Sequence, residues 1–233
     1  MQGCGECVKN KMVTFSYDDG VTQDIRLIEL LNKYDLKCTF NLNSELLGKN
    51  NCLTRNGSRI AHYKIVPKDV KSIYEGHEVA VHTLTHPRLT ELDKDEIIRQ
   101  VERDRENLEE LVGYEVVGMA YPCGGVNNDD RVAEIIRNNT GVQYSRTITS
   151  TYSFDEQDNL FRFNPTIHII DGRCEEICRR FLEAEFDEPK LLYIWGHSYE
   201  FDFDNSWDRF EAICKMISGH DDIFYGTNKE ILL

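Results

Sequence analysis

Short apolar runs alternate with amphipathic stretches along most of the chain. Residues 12–15, 38–42, 77–81, 116–120, 142–148, 166–170, 191–195 and 223–225 are compact runs rich in Val, Ile, Phe and Tyr, and they read as strands. Between them the apolar positions recur at helical spacing. A helix is predicted over 24–34, with Thr22 as its N-cap and Ile25, Ile28 and Leu31 on one stripe. Val66 and Pro67 open a short helix that runs to Tyr74, with proline at the first helical position. The run Asp93-Lys94-Asp95-Glu96 reads as a capping box. The helix it opens turns Ile97, Val101, Leu108 and Leu111 inward and stops at Gly113. Further helices are predicted over 129–138, 175–185 and 207–218. Residues 47–66 are long and polar, and are expected to wall a groove at the strand ends.

Strands alternating with helices imply an α/β fold with a mostly parallel sheet. Seven or eight such units in about 220 residues fit a barrel better than a doubly wound sheet. Gly-x-Gly-x-x-Gly does not follow the first strand, and Gly-x-x-x-x-Gly-Lys-Ser/Thr does not occur, so dinucleotide and P-loop readings lack support. The five prolines are scattered and no repeat or linker divides the chain. The sequence therefore predicts a single domain over 11–233 preceded by a flexible segment over 1–10. At 233 residues it can bury roughly 70–75% of its unfolded surface.

The net charge of −14 disfavours nucleic acid and anionic membrane surfaces as partners. No apolar run approaches the length of a membrane span. The opening residues lack the basic and apolar regions of a secretory signal, so a cytoplasmic location is expected for the chain as written. Eight cysteines are too few for a disulfide scaffold and are expected to be thiols. The Cys4-x-x-Cys7 pair is not expected to bind metal, and Cys174 and Cys178 are expected to be half-buried on a helix. Nothing in the sequence specifies an oligomeric state.

In parallel α/β folds the chemistry sits at the C-terminal ends of the strands. The first strand ends in Ser16-Tyr17-Asp18-Asp19-Gly20, which is either an Asp-Gly turn or a pair of working carboxylates. The third ends in His82-Thr83-Leu84-Thr85-His86-Pro87, and histidines four apart on a helical turn can share one metal ion. A zincin would carry Glu after the first histidine. Thr83 stands there, so a general base must come from elsewhere, Asp18 or Asp19 being candidates. The strand over 191–195 runs into Gly196-His197-Ser198-Tyr199-Glu200, where His197 is a general acid or a hydrogen-bonded structural residue. In Tyr121-Pro122-Cys123-Gly124-Gly125, proline and paired glycines expose backbone N–H groups, a possible oxyanion site.

In this order, from Met12 to Tyr225, these pieces resemble the polysaccharide deacetylase, or NodB-homology, family. Ser16-Tyr17-Asp18-Asp19-Gly20 is similar to its Thr-Phe-Asp-Asp-Gly motif. Gly76-His77-Glu78, followed by His82 and His86, is similar to its second motif, Ala120-Tyr121-Pro122-Cys123-Gly124 to its third, and His197 to the histidine that ends a late strand. The resemblance implies a deformed (β/α)7 barrel. It implies one divalent metal ion, commonly zinc, on Asp19, His82 and His86, with Asp18 as general base. The backbone N–H of Cys123 would hold the oxyanion, and His197 would protonate the leaving amine. Two departures stand out. The family's third-motif arginine, which orients the base, falls on Ala120, and Arg146 is predicted to replace it by pairing with Asp18. The aspartate that orients the acid histidine has no clear equivalent, Glu200 being the nearest carboxylate in sequence.

The implied function is removal of an acetyl or other acyl group from an N-acetylated amino sugar in an oligo- or polysaccharide. The alternatives are a small-molecule N-acyl amidohydrolase and a catalytically silent, metal-containing carbohydrate-binding module. Leu192, Ile194 and Trp195 are expected around the acyl methyl group. His77 reads as a turn residue and His62 and His220 as surface residues, while His168 either faces the barrel mouth or is structural. Residues 183–188 read as a solvated helix end. The aromatics over 201–207 either stack on a sugar or cover the barrel end.

Overall fold

The computed structural model describes residues 9–233. Its strands are β1 (Lys11–Asp18), β2 (Cys38–Leu42), β3 (Asn50–Arg55), β4 (Ser58–Tyr63), β5 (Glu78–Val81), β6 (Gly118–Ala120), β7 (Tyr144–Arg146), β8 (Ile167–His168), β9 (Lys190–Gly196) and β10 (Ile223–Tyr225). Its helices are α1 (Asp24–Lys33), α2 (Val70–Ile73), α3 (Lys94–Val112), α4 (Asp130–Asn139), α5 (Cys174–Glu183), α6 (Glu200–Asp204), α7 (Trp207–Ile217) and α8 (Asn228–Leu232). Seven strands form a curled parallel sheet in the order β7-β6-β5-β2-β1-β9-β8, with β10 added beside the start of β1. Arg146 and Phe163 form a parallel bridge that links the two ends of this sheet, so the strands curl into the expected (β/α)7 barrel. Among the described residues no helix is long and apolar enough to cross a membrane.

The strands at the centre of the sheet are buried along almost their whole length, as parallel strands covered by helices must be. Helices α1, α5 and α7 press Leu27, Leu31, Ile177, Phe181, Phe210 and Ile213 onto the outside of the barrel. Each such side chain contributes about 1.5–3 kcal/mol on burial. At the opposite end from the strand C-termini, buried Glu78 accepts from Thr39 Oγ1 (2.7 Å), Tyr144 Oη (2.9 Å) and Lys229 N (2.9 Å), tying α8 across the barrel floor.

Several details differ from the sequence reading. Ile25 is 43% exposed, and Leu27 takes its place beside Ile28 and Leu31, because the apolar stripe of α1 lies one position round. Thr22 is not the cap of α1, which begins on a backbone turn from Val21 O to Asp24 N. Asp93 caps α3 through Glu96 N (2.9 Å), but the Glu96 side chain turns to Arg99 and leaves the box half made. Cys174 and Cys178 are wholly buried against the barrel, not half-buried. The polar stretch over 47–66 contains the β3–β4 hairpin, turned at Asn56 and Gly57. The Cys4–Cys7 pair lies outside the described residues. Lys9 and Asn10, at the end of the segment predicted to be flexible, bond to Ile223 O (3.0 Å) and Phe186 O (2.8 Å).

Candidate active site

The C-terminal ends of the barrel strands bring the sequence-derived candidates to one mouth. Asp18 closes β1, and the chain then turns through left-handed backbone at Asp19 (φ 85°) and Gly20 (φ 62°). A side chain at Gly20 would meet Leu42 Cδ2 at 2.7 Å, so this turn needs glycine. The turn sends the two carboxylates apart. Asp18 accepts from Arg146 Nη2 at both oxygens (2.5 Å each) and from Asn41 Nδ2 (2.8 Å). The Arg146–Asp18 pair expected from the sequence is therefore present, although one nitrogen faces both oxygens in place of a two-pronged fork. Arg146 has no exposed surface, and its guanidinium lies 4.5 Å over the Trp195 ring. Burial pushes the Asp18 carboxyl up. The nearby Arg146, His82 and His197 outweigh it and hold the group below its ordinary range.

Asp19, His82 and His86 each offer one ligand atom, all within 4.8 Å of one another. His82 Nδ1 lies 2.8 Å from Ala120 O, which assigns the proton to that nitrogen and leaves Nε2 with its lone pair. The position that lacks arginine thus still serves the site through its carbonyl. Asn43 Nδ2 donates to the carbonyls of His82 (2.6 Å) and Thr83 (3.0 Å), and Asp104 accepts from His82 N (3.1 Å). Burial lowers the His82 imidazole to about 4 and lowers His86 as well, so both rings are neutral. Burial opposes ionisation of Asp19, but His62 and Lys64 override it and hold the carboxyl well down. One carboxylate and two neutral imidazoles converging from a buried turn suit a divalent cation with open positions left over. Asp19, Thr83, His86 and Cys123 all have positive φ, at 85°, 69°, 61° and 69°. Such backbone costs about 1–3 kcal/mol per residue and clusters where geometry is held for function.

His197 follows β9, and α6 begins with Glu200. Glu200 Oε2 accepts from His197 N (3.1 Å) and lies 3.3 Å from its Nδ1, a charge contact without the alignment of a full hydrogen bond. The same oxygen lies 3.4 Å from His168 Nε2. Burial pushes His197 down, yet Glu200, Asp18 and Asp19 outweigh it and raise the imidazole to about 9. His168, facing one shared carboxylate, is lowered to about 4 by burial. One histidine of the pair is thus charged and the other neutral.

Asp18, Asp19, His82, His86, Cys123 and His197 line a single cavity of about 270 Å³. Leu192 and Ile194 do not line it. Alternate residues of β9 face opposite sides, and these two point outward into the helix-covered core, while Trp195 faces the cavity with Tyr121 and Ile148. Phe201 packs on Trp207 and Phe210 inside the fold, so Phe201 and Trp207 cover the barrel, while half-buried Phe203 lies under Arg55. His62 is not a surface residue: its Nε2 lies 3.5 Å from Asp19 Oδ2. The sequence reading also passed over Lys64, whose buried Nζ donates to Asp19 O (2.6 Å) and Asp19 Oδ1 (3.1 Å). Ile60, His62 and Lys64 share the alternation of one strand face, and Asn56-Gly57 is a hairpin signal. Together they could have revealed both residues.

The Polysaccharide deacetylase family profile matches residues 5–144, more than half of the chain. Arg146, His197 and Glu200 lie beyond that match. The peptidoglycan-N-acetylmuramic acid deacetylase PdaC of Bacillus subtilis is 27% identical over 124 residues, which are 52% of this chain and 23% of that protein. The chain spans about a quarter of the length of the first relatives it matches. Among solved structures, the Xyl-CE4 domain of a xylanase from the hindgut metagenome of Trinervitermes trinervoides superposes with a TM-score of 0.59 at 16% identity, covering 96% of this chain and 90% of that one. A CE4 family pseudoenzyme from Bacillus anthracis does so with a TM-score of 0.53 at 19% identity, covering 97% and 66%. These likenesses carry the fold, and the profile match carries the family. With the family's motifs gathered at one barrel mouth, the chain belongs to the polysaccharide deacetylase family.

Proposed function

We propose that this chain is a metal-dependent hydrolase that removes the acetyl group from an N-acetylated amino sugar of an oligo- or polysaccharide. The observation that carries the reading is a single cavity in which an Arg146-paired Asp18 stands beside the Asp19, His82 and His86 donors and opposite a charged His197. Asp19, His82 and His86 would hold the ion, and zinc is the ion proposed. A bound dication supplies Lewis-acid chemistry, acidifying water and polarising a carbonyl.

Asp18, oriented by Arg146 and Asn41, takes a proton from the water that adds to the amide carbonyl. The backbone N–H of Cys123, a left-handed residue on the cavity wall, would hold the oxygen that becomes negative. His197 gives its proton to the departing nitrogen, which leaves as an amine. Trp195, Tyr121 and Ile148 shape the space for the acetyl group. Arg146 also counts against the silent-module reading, whose ground was the missing arginine at position 120.

The test is acetate release from N-acetylglucosamine oligomers and peptidoglycan fragments, set beside small N-acetyl and N-formyl compounds, with and without a chelator. Chelator-sensitive release from the glycans supports the proposal. Release confined to the small compounds would replace it with the small-molecule reading.

Glu200 is expected to position His197 and keep it charged. Glu200→Gln removes the carboxylate that raises the imidazole, so His197 loses its proton at lower pH than in the parent. An acid must be protonated to act. The alkaline limb of the kcat/KM profile should therefore move to lower pH, while the acidic limb, set by Asp18, stays in place. An unmoved alkaline limb would remove Glu200 from this role.

A further inference from the structure

The β3–β4 hairpin builds a second cavity, of about 380 Å³, that opens from the first and shares Asp19, His86 and Tyr199 with it. Leu46, Lys49, Asn51, Leu53, His62 and Lys64 complete its wall. The hairpin is fixed to the barrel on several sides. Val21 and Lys64 form an antiparallel bridge, and Gln23 Nε2 donates to Ala61 O (2.8 Å). Arg55 pairs with Asp204 and lies 4.7 Å over the Phe203 ring. These contacts hold the wall beside the site.

Its charge is opposite to that of the whole chain. Among the described residues Asp19 is the one carboxylate lining this cavity, and it is engaged by Lys64 and His62. No lining carboxylate is left to neutralise Lys49, which is exposed at the rim of a protein of net charge −14. Leu46 and Leu53 add apolar surface beside that charge. A neutral sugar hydroxyl gains only an ordinary hydrogen bond from such an ammonium, whereas a carboxylate on a short aliphatic stem gains a stronger charge-assisted one and covers the leucine surface as well.

We infer that the hairpin cavity is a subsite for a carboxylate-bearing substituent of the amino-sugar substrate, with Lys49 as its specificity-determining cation. This rests on the deacetylase reading for the identity of the sugar. It is tested by binding of two free amines that carry no acetyl group to lose, muramic acid, which bears a lactyl ether, and glucosamine, which does not. Both are titrated into the zinc-loaded full chain and followed by NMR. Muramic acid should bind about fivefold more tightly, as one partly exposed charge pair allows, and Lys49→Met should bring the ratio to about one. Equal affinities in the parent chain would overturn the inference. So would a preference that survives Lys49→Met, because the carboxylate would then sit elsewhere, for instance on the metal. A Lys49-dependent preference without acetate release from either N-acetylglucosamine or N-acetylmuramic acid oligosaccharides would leave the subsite standing and sink the deacetylase reading alone.

Discussion

Exchange of Asp18 for asparagine is expected to lower acetate release by about 10²–10⁴-fold, the usual contribution of a positioned general base. The amide keeps the size of the carboxylate and can still accept from Arg146, but it cannot take a proton from water. Metal content should remain at one equivalent, since Asp18 is held by Arg146 and Asn41 and is not one of the Asp19, His82 and His86 donors. Steady-state rates with metal analysis on the same sample check both halves. A variant that retained a tenth or more of the parent rate would show that the base lies elsewhere.

The second large effect concerns stability. Arg146 and Asp18 form a buried ion pair with 0% and 2% side-chain exposure. Arg146→Met should cost about 3–5 kcal/mol at pH 7, because it leaves an unpaired carboxylate in the barrel. The sign of the pH dependence follows from Asp18. In the parent its folded pKa lies below the unfolded value of about 3.9, so the pair contributes stability above that pH that is lost on acidification. In the variant burial is opposed only by His82 and His197, and the folded pKa is expected to rise above the unfolded value. The penalty therefore grows as pH rises from about 4 and shrinks on return to acid. Urea denaturation at pH 4 and pH 7 should show a gap between parent and variant that narrows at pH 4. The double variant Asp18→Asn with Arg146→Met should recover much of the loss, since it buries no lone charge. An equal gap at both pH values would mean that Arg146 acts through packing on Trp195 and not through Asp18.

The parts of this site that were legible in the sequence are the local ones. Asp18, Asp19, His82, His86 and His197 each follow directly on an apolar strand run, so their place at the barrel mouth follows from strand polarity alone. Arg146 was reachable by the same logic once Ala120 left the base without a partner. Side-chain direction was less legible. An apolar run does not say which of its residues face the cavity: Leu192 and Ile194 alternate with Trp195 and face the other way, and on α1 it is Leu27, not Ile25, that faces the core. The hairpin was the larger omission. It is a two-stranded ribbon with half-exposed and exposed residues along both strands, so its alternation is weak and its Asn-Gly turn is the clearer mark. Without that strand, His62 reads as a surface residue and Lys64 draws no notice, so their contact with Asp19 stays hidden. Glu200 carried a weak signal of spacing, and its approach to His197 depends on α6 starting at once after β9.

Under the proposed function, acetyl removal requires a single ion on Asp19, His82 and His86. This requirement is tested most directly by stripping the chain of metal and adding zinc back while acetate release from an N-acetylglucosamine oligomer is recorded. The rate should rise in proportion to zinc up to one equivalent per chain and then level, and His82→Ala should neither retain the ion nor release acetate. Acetate release by the stripped chain, or a full equivalent of zinc retained by His82→Ala, would contradict the account.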